Sequence, residues 1–344
     1  MSAMDSILQR IATGPELSKD ISREEAREGM RLVLDGAVDP VQAGVFLIAL
    51  RMKRETDDEN RGLLEAIREA TERATASVDE VLDLGDPYDG YNRTLPAAPF
   101  LPPLLAACGV AAVSHGVQSM GPKYGVTHRQ VLAAAGLPVD LSPRDAAARL
   151  GDPRIGWAYV DQKAFCPKLY ALARLRTLIV KRPAITTAEV LAGPLRGRRK
   201  THLVTGYVHK AYPRVYALLA RHAGFDTALI VRGVEGGVIP SLAQAGRAYR
   251  VLGDAVENVV EFAPAELGIE PAPRSAQTVS ARAAADAGRA ALEGAPGPVR
   301  DGLICGAALC LWHLGRHGSL RQAAEAARGA LDDGRALARL DQAI

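Results

Sequence analysis

The strongest constraint on the fold is a pattern that begins near residue 78 and repeats: a short apolar run, a glycine-rich turn and a helix. The runs occupy residues 81–84, 110–113, 157–160, 201–204 and 227–231. Strands that alternate with helices along a chain are typical of a mostly parallel sheet with helices on its faces. The sequence therefore predicts an α/β fold with a central sheet flanked by helices.

The N-terminal residues carry helix signals instead of strand signals. Ser22 and Glu25 form a capping box, and Asp39 followed by Pro40 begins a second helix. The second helix, residues 41–52, is apolar on nearly every side, and we expect it to be buried.

Two further segments complete the predicted domain organisation. A more charged helix is predicted over residues 57–72, and residues 167–191 again show helical spacing. We expect a small all-helical domain at residues 1–74, with residues 166–191 packing onto it. The larger α/β domain is expected to comprise residues 75–165 and 192–344.

The composition is that of an ordinary globular protein. Of 344 residues, 48% are hydrophobic and 24% are charged, and the formal net charge of +3 permits an anionic ligand without requiring one. The four cysteines lack the spacing of a zinc site, which predicts free thiols. No signal sequence or long apolar span is evident, so we expect a cytoplasmic protein with no membrane partner.

Several segments resemble anthranilate phosphoribosyltransferases. Residues 21–56 resemble the helical N-terminus of that family, and HGVQS at 115–119 and AGPLRG at 192–197 agree with it in order and spacing. The helical C-terminus agrees as well, so the resemblance covers essentially the whole chain. It implies a fold of the anthranilate phosphoribosyltransferase or nucleoside phosphorylase type, with the active site between the domains. It also implies a homodimer that pairs through the helical domain and transfers phosphoribose from its pyrophosphate donor to an amine, with magnesium.

The loop after the first strand departs from the family pattern. Where the family has Gly-Thr-Gly-Gly-Asp-Gly, this chain has Gly85-Asp86-Pro87-Tyr88-Asp89-Gly90. The bare backbone amides of such a turn bind pyrophosphate. Pro87 lacks an amide hydrogen, Tyr88 adds bulk and Asp86 adds negative charge. These substitutions predict impaired pyrophosphate binding.

The second phosphate loop is also altered. Its family pattern is Lys-His-Gly-Asn-Arg-Ser, and residues 114–119 read Ser-His-Gly-Val-Gln-Ser, which keeps His115, Gly116 and Ser119 but neither cation. Lys123 and Arg129 follow nearby and are candidates to replace the missing cations.

The acidic motif that holds magnesium in the family retains one acid. The expected Asp-Gly-Leu-Asp-Glu is replaced by Glu235-Gly236-Gly237-Val238-Ile239. Magnesium is a hard cation that requires oxygen ligands, which Val238 and Ile239 cannot supply. No metal ligands are therefore predicted, and magnesium is expected only if the protein acts as a transferase.

On the acceptor side, Arg176 matches the family arginine that contacts the carboxylate of anthranilate, while the expected histidine is replaced by Cys166. Two roles remain open for Arg176. It contacts the carboxylate of an acceptor, or it forms an ion pair with an acidic side chain on a neighbouring helix.

Other short segments are similar to YbiB-type proteins, a divergent branch of the family. These are SHGV at 114–117, AFCP at 164–167, RGVEGGV at 232–238, and Tyr88-Asp89-Gly90. This resemblance implies nucleic-acid binding through a basic groove along the dimer, with no established transferase activity.

The first functional hypothesis is a transferase-fold protein that binds a phosphorylated ribose. His115 would position a phosphate or act as an acid, and Asp89 would orient the ribose. The alternatives are a turn histidine bonded to backbone and an ordinary Asp-Gly turn. The candidate phosphate and ribose ligands are Gly85, Asp89, Gly90, His115, Gly116, Ser119 and Lys123.

The second hypothesis is a protein that binds single-stranded or double-stranded nucleic acid. Its candidate residues are Lys168, Arg174, Lys181, Arg182, Arg196, Arg198, Arg199 and Lys200. A dimer would double this basic strip and contact phosphates without reading bases, although such a run is also typical of a solvated face. A third possibility is a structural homologue that has lost chemistry and serves as an oligomeric partner.

Overall fold

The N-terminal helices begin at strong capping signals. The computed structural model describes residues 2–14, 16–253, 258–270 and 279–344. The first helices are α1 (Ala3–Ile11), α2 (Arg23–Leu34), α3 (Pro40–Lys53) and α4 (Asp57–Glu69). Ser22 and Thr56 begin α2 and α4 with complete capping boxes, and the Asp39 side chain accepts a hydrogen bond at the start of α3. The predicted starts of α2 and α3 are confirmed.

Packing within the helical bundle depends on one glycine and leaves one helix partly open. A Cβ atom at Gly62 would collide with the backbone of α2, so α2 and α4 could not approach as closely with any other residue. In α3, Phe46 and Leu50 are buried, but Val41 is 73% exposed and Met52 is 74% exposed. The prediction that this helix is buried is therefore wrong for one of its faces, because the bundle covers only the opposite side.

The second part of the chain forms a seven-stranded sheet in the order β4-β3-β2-β6-β7-β8-β9. The strands are β1 (Ala74–Thr75), β2 (Glu80–Gly85), β3 (Ala112–Gly116), β4 (Trp157–Asp161), β5 (Leu195–Arg196), β6 (Lys200–Tyr207), β7 (Thr227–Arg232), β8 (Gly246–Leu252) and β9 (Asn258–Phe262). Strands β4, β3, β2, β6 and β7 are parallel, and β8 and β9 are antiparallel. Strands β1 and β5 pair separately. The predicted, mostly parallel α/β sheet is confirmed, whereas β8 and β9 were not predicted.

Helices cover both faces of this sheet. The helices that follow α4 in the chain are α5 (Leu101–Ala107), α6 (His128–Ala134), α7 (Pro143–Gly151), α8 (Gln162–Phe165), α9 (Pro167–Tyr170), α10 (Ala173–Ile179), α11 (Ile185–Ala188), α12 (Tyr212–His222), α13 (Ala281–Leu292), α14 (Pro298–His313), α15 (Leu320–Asp332) and α16 (Arg335–Asp341). Consecutive strand residues point to opposite faces. Val81 joins the core that includes the N-terminal bundle, while Leu82 joins the core formed with the C-terminal helices. Cys305 and Cys310 are buried free thiols within α14, as predicted.

Residues 167–191 form several short helices instead of one continuous helix. Helix α10 ends at Ile179, and the next residue, Val180, has a left-handed φ of 63°. Pro183 follows shortly after. Helix α10 packs against α3, and α11 packs against α4. This segment therefore faces the carboxyl edge of the sheet from the side of the bundle. Among the described residues, no helix is long and apolar enough to cross a membrane.

Candidate functional site

The carboxyl ends of β2 and β6 open into a cleft of about 200 Å³. Gly85 and Tyr207, the last residues of these two strands, line it together with Asp89. Arg51 and Arg182 line it from the bundle and the segment that packs on it. Ligands of parallel α/β sheets bind at this edge, so the cleft is the candidate functional site.

Asp89 is contacted by two cationic side chains, of which Arg182 lines the cleft and Lys123 does not. Its carboxylate lies 2.5 Å from a guanidinium nitrogen of Arg182 and 3.8 Å from the Nζ atom of Lys123. The Asp89 side chain is 8% exposed, whereas that of Arg182 is 45% exposed. The structure thus brings two predicted phosphate-site residues, Asp89 and Lys123, together with a residue predicted for nucleic-acid binding.

Glu235 supports the same cluster from the other side. Its carboxylate lies 3.2 Å from Lys123 and accepts hydrogen bonds from the backbone amides of Asn92 and Arg93. Burial raises the pKa of Glu235, but these two amides and the charge of Lys123 outweigh the effect of burial, so the pKa is below its usual value. Glu235 is therefore an ionised residue that positions Lys123.

His115 does not line the cleft. It is 1% exposed, its Nδ1 atom lies 2.6 Å from the hydroxyl of Tyr88, and its Nε2 atom lies 2.8 Å from Asp83. Burial, together with Glu189 and Asp83, raises the pKa of Tyr88 well above its usual value, so Tyr88 keeps its proton and can donate to His115. This corrects the expectation that His115 contacts a ligand phosphate. The alternative, a turn histidine bonded to the backbone, is also wrong, because both partners of the ring are side chains.

Asp86 also points away from the cleft. It is 1% exposed and accepts hydrogen bonds from the hydroxyl of Tyr91 at 2.7 Å and the backbone amide of Val238 at 2.9 Å, while its other contact is His128 at 2.9 Å. Its carboxylate oxygens are therefore hydrogen-bonded inside the protein. This corrects the expectation that Asp86 places negative charge at the phosphate loop.

Val238 and Ile239 stand where the family has its paired metal ligands, and both are at least partly buried. Val238 is 1% exposed and Ile239 is partly buried. Glu235, the remaining acid, is already bound by two amides and Lys123. The residues present therefore do not fit a magnesium site. Within the described ranges, no three His, Cys, Asp or Glu side chains are grouped so as to hold a metal ion.

Arg176 adopts the second of its two predicted roles. Its guanidinium contacts both carboxylate oxygens of Glu189, at 2.6 Å and 2.7 Å, and each side chain is 1% exposed. Both residues border the cleft. Because Glu189 already occupies the guanidinium, Arg176 has no free bidentate face for an acceptor carboxylate.

The predicted basic strip is divided in two by strand β6. Arg196, Arg198 and Arg199 precede Lys200, the first residue of β6, whereas the cleft lies at the other end of that strand, roughly 23 Å away at 3.3 Å per residue. Lys200 and Arg199 lie near Glu80 and Asp79. This corrects the expectation of one continuous strip in each chain.

The remaining basic candidates lie at the cleft or on the segment that packs against the helical bundle. Lys181 is exposed and adjoins Arg182 at the cleft, and Arg174 is exposed on α10. Lys168 lies 2.7 Å from Asp35 on the helical bundle. Cations are thus present at the cleft, but they are separated from the cluster at the amino edge.

The other candidate residues have structural roles near the site. A Cβ atom at Gly85 would collide with the carbonyl of Val190, and Gly90 has a left-handed φ of 72°. Gly116 is buried at the end of β3. Ser119 is exposed, and it is not among the residues that line the cleft.

Several cleft residues were not predicted from the sequence. Arg51 lies 5.5 Å from the ring of Tyr212, and both residues line the cleft with Glu189 and Tyr207. Arg51 lies in helix α3, whereas Tyr212 is the first residue of α12, which follows strand β6. No local motif indicates that they meet.

The chain matches two family models along nearly its whole length. Residues 5–71 match the helical bundle domain of the glycosyl transferase family, and residues 76–337 match the a/b domain of that family. Among similar proteins, the anthranilate phosphoribosyltransferase of Methylocella silvestris is 29% identical over 349 residues, covering 100% of this chain and 95% of the relative.

Solved structures show the same fold. The anthranilate phosphoribosyltransferase of Thermus thermophilus aligns with a TM-score of 0.80 at 22% identity, covering 99% of this chain and 98% of that one. The anthranilate phosphoribosyltransferase of Saccharomyces cerevisiae in complex with PRPP and Mg aligns with a TM-score of 0.82 at 14% identity, covering 99% and 96%.

Proposed function

This chain belongs to the glycosyl transferase family defined by these two domains, and we propose that its cleft binds a phosphorylated ribose without magnesium-assisted transfer of phosphoribose. The observation that carries the proposal is the convergence of Arg182 and Lys123 on Asp89 at the carboxyl edge of the sheet. The yeast relative binds PRPP, which is itself a phosphorylated ribose. The proposed ligand therefore belongs to the same chemical class.

Arg182 and Lys123 can exchange their contacts with Asp89 for contacts with a phosphate group when a ligand binds. A phosphate group would take over the contacts that Arg182 and Lys123 make with Asp89, and charge-assisted hydrogen bonds of this kind are worth about 1.5–3 kcal/mol each. Arg182 is half exposed and has room to reorient. The carboxylate of Asp89 would then be free to accept a hydrogen bond from a ribose hydroxyl.

Three features speak against transfer from a pyrophosphate donor. Pro87 removes an amide from the first loop, and the side chain of Tyr88 fills the space beside His115. Val238 and Ile239 replace the paired acids. We therefore do not expect phosphoribosyl transfer to anthranilate.

Isothermal titration calorimetry with ribose 5-phosphate tests this proposal. The wild-type protein should bind equally well with and without Mg²⁺, and Arg182→Gln should weaken binding at least about tenfold, because one charge-assisted contact is lost. Arg154→Gln is the matched control, since Arg154 is exposed and pairs with Asp152. Binding that requires Mg²⁺, or that survives Arg182→Gln, would refute the proposal. Consumption of anthranilate in the presence of PRPP and Mg²⁺ would refute its second half.

The alternative ligand, a nucleic acid, is tested with the wild-type protein and two double variants. A labelled single-stranded oligonucleotide would be titrated at low and moderate salt. Salt-sensitive binding that is lost in Lys181→Ala/Arg182→Ala but kept in Arg198→Ala/Arg199→Ala would replace ribose phosphate by nucleic acid as the ligand of this cleft. No oligonucleotide binding at low salt is the result that supports the smaller ligand.

A further inference from the structure

A second cavity, of about 360 Å³, lies next to the cleft. The segment 233–239 separates the two spaces, because Glu235 lines the cleft whereas Val234 and Ile239 line the second cavity. Its other walls are residues 94–98, residues 240–243, helix α13 and the first turn of α14. Ile239, which stands at the position of a family metal ligand, therefore borders an apolar space.

The walls of this cavity are formed mainly by small apolar side chains. Leu95, Leu242 and Val299 contribute larger side chains, and Ala290 on α13 contributes a small one that leaves space open. A volume of this size falls in the range of about 300–1,000 Å³ that is usual for small-molecule sites. The cavity therefore suits a compact apolar molecule.

One negative charge at the edge of this cavity lacks a partner. The guanidinium of Arg300 is held by Asp332 at 2.5 Å, whereas the neighbouring Asp301 makes no ion pair with any residue that the structure describes. Burial raises the pKa of Asp301, and the charges of Arg300 and Arg328 only partly oppose it. Asp301 is thus a partly buried carboxylate that lines the cavity, with Arg300 and Arg328 acting on it only from beyond ion-pair distance. A carboxylate that has lost water favours a cationic hydrogen-bond donor.

We propose that this cavity binds a small amine, with the ammonium group on the carboxylate of Asp301 and an apolar body between Ile239 and Ala290. The site does not depend on the phosphorylated ribose in the cleft. Its specificity comes from the combination of one carboxylate with apolar walls, so neutral molecules of the same shape bind more weakly and carboxylates more weakly still.

Calorimetric titration of the full-length protein with 2-phenylethylamine tests the proposal. Two analogues, 2-phenylethanol and 3-phenylpropanoate, keep the ring and remove or reverse the charge. The amine should bind about tenfold more tightly than the alcohol, because it adds one charge-assisted hydrogen bond. In Asp301→Asn the amine should lose this advantage while the alcohol binds as before.

A second variant blocks the cavity without changing its charge. Ala290→Leu should abolish binding of both the amine and the alcohol, and Ala283→Leu on the same helix, outside the cavity, should not. Asp286→Asn, which removes an exposed carboxylate of α13 paired with Arg282, is the control for charge. Equal affinity of amine and alcohol, tighter binding of the carboxylate, or amine binding that survives both Asp301→Asn and Ala290→Leu would overturn the proposal.

Discussion

At the scale of single residues, the buried ion pair of Arg176 and Glu189 forms part of the wall of the cleft and leaves the guanidinium without a free face for a ligand carboxylate. Both side chains are 1% exposed, and the guanidinium contacts both oxygens of the carboxylate. Removing one partner from a buried pair leaves an uncompensated charge inside the protein, which costs far more than the pair itself contributes. The pair is therefore a structural element as well as a wall of the site.

Glu189→Gln is expected to reduce the free energy of unfolding by about 3–5 kcal/mol, because Arg176 would remain charged and buried without a counter-ion. Urea unfolding followed by circular dichroism measures this loss. Glu28→Gln is the control: Glu28 pairs with Arg31 on the surface of α2, and its loss should cost less than about 1 kcal/mol. Equal losses in the two variants would mean that the Arg176 guanidinium reaches water or another acid.

The residues of the site differ in how far the sequence could predict them. Gly85 and Asp89 could be predicted because they match the glycine-rich loop that the family has after its first strand. The roles of His115 and Asp86 could not be predicted, because they depend on which side of the strand ends these side chains face. His115 turns inward to Asp83, and Asp86 turns inward to the amide of Val238, 152 positions further along the chain.

At the scale of secondary-structure elements, the caps and the parallel strands were predictable and the antiparallel edge was not. Strands β4 and β7 contain continuous apolar runs, at residues 157–160 and 228–231, because both of their faces are covered. Strand β8 contains Arg247 and Arg250 between apolar residues and lacks such a run. Its position is determined by pairing with β7, which the sequence of β8 alone does not reveal.

Helix α14 is joined to strands β6 and β7 by a chain of hydrogen-bonding side chains. Thr227 Oγ1 lies 2.8 Å from Nδ1 of His202 and 2.8 Å from Nε2 of His313. Burial lowers the pKa of His202, and burial, with the charge of Arg250, lowers that of His313 to about 3. Both imidazoles are therefore neutral in the folded protein at pH values where they are charged in the unfolded chain.

This difference predicts the direction of a pH dependence. Below the unfolded pKa of 6.5, the unfolded chain binds a proton at His313 that the folded protein does not, so stability falls as the pH falls towards 3. The contribution reaches about 1.4 kcal/mol per pH unit for one group. His313→Gln should flatten the plot of unfolding free energy against pH between 6 and 4. Between pH 7 and 8 the variant and wild-type plots should be parallel, and parallel plots below pH 6 would show that His313 is protonated in the folded state.

At the scale of the whole molecule, exposed apolar side chains on α3 and α10 lead to a prediction about the expected association of two copies. Val41 and Met52 lie on the same side of α3, eleven positions or about three turns apart. Leu178 and Val180, at the end of α10, are 69% and 65% exposed, and α10 packs on α3. Side chains of this kind gain about 1.5–3 kcal/mol each when they are fully buried. We therefore propose that these four residues take part in the expected pairing of two copies through the helical domain.

If two copies pair through these residues, Met52→Glu combined with Leu178→Asp should convert a dimer to a monomer, because both charges would have to be buried at the interface without partners. Sedimentation equilibrium measures this, and we expect the dissociation constant to rise at least about a hundredfold. Leu17→Glu is the matched control, since Leu17 is 68% exposed and lies outside the surface of α3 and α10. A wild-type protein that is monomeric at all concentrations would exclude the dimer. A double variant that still dimerises would exclude this surface and require a different one.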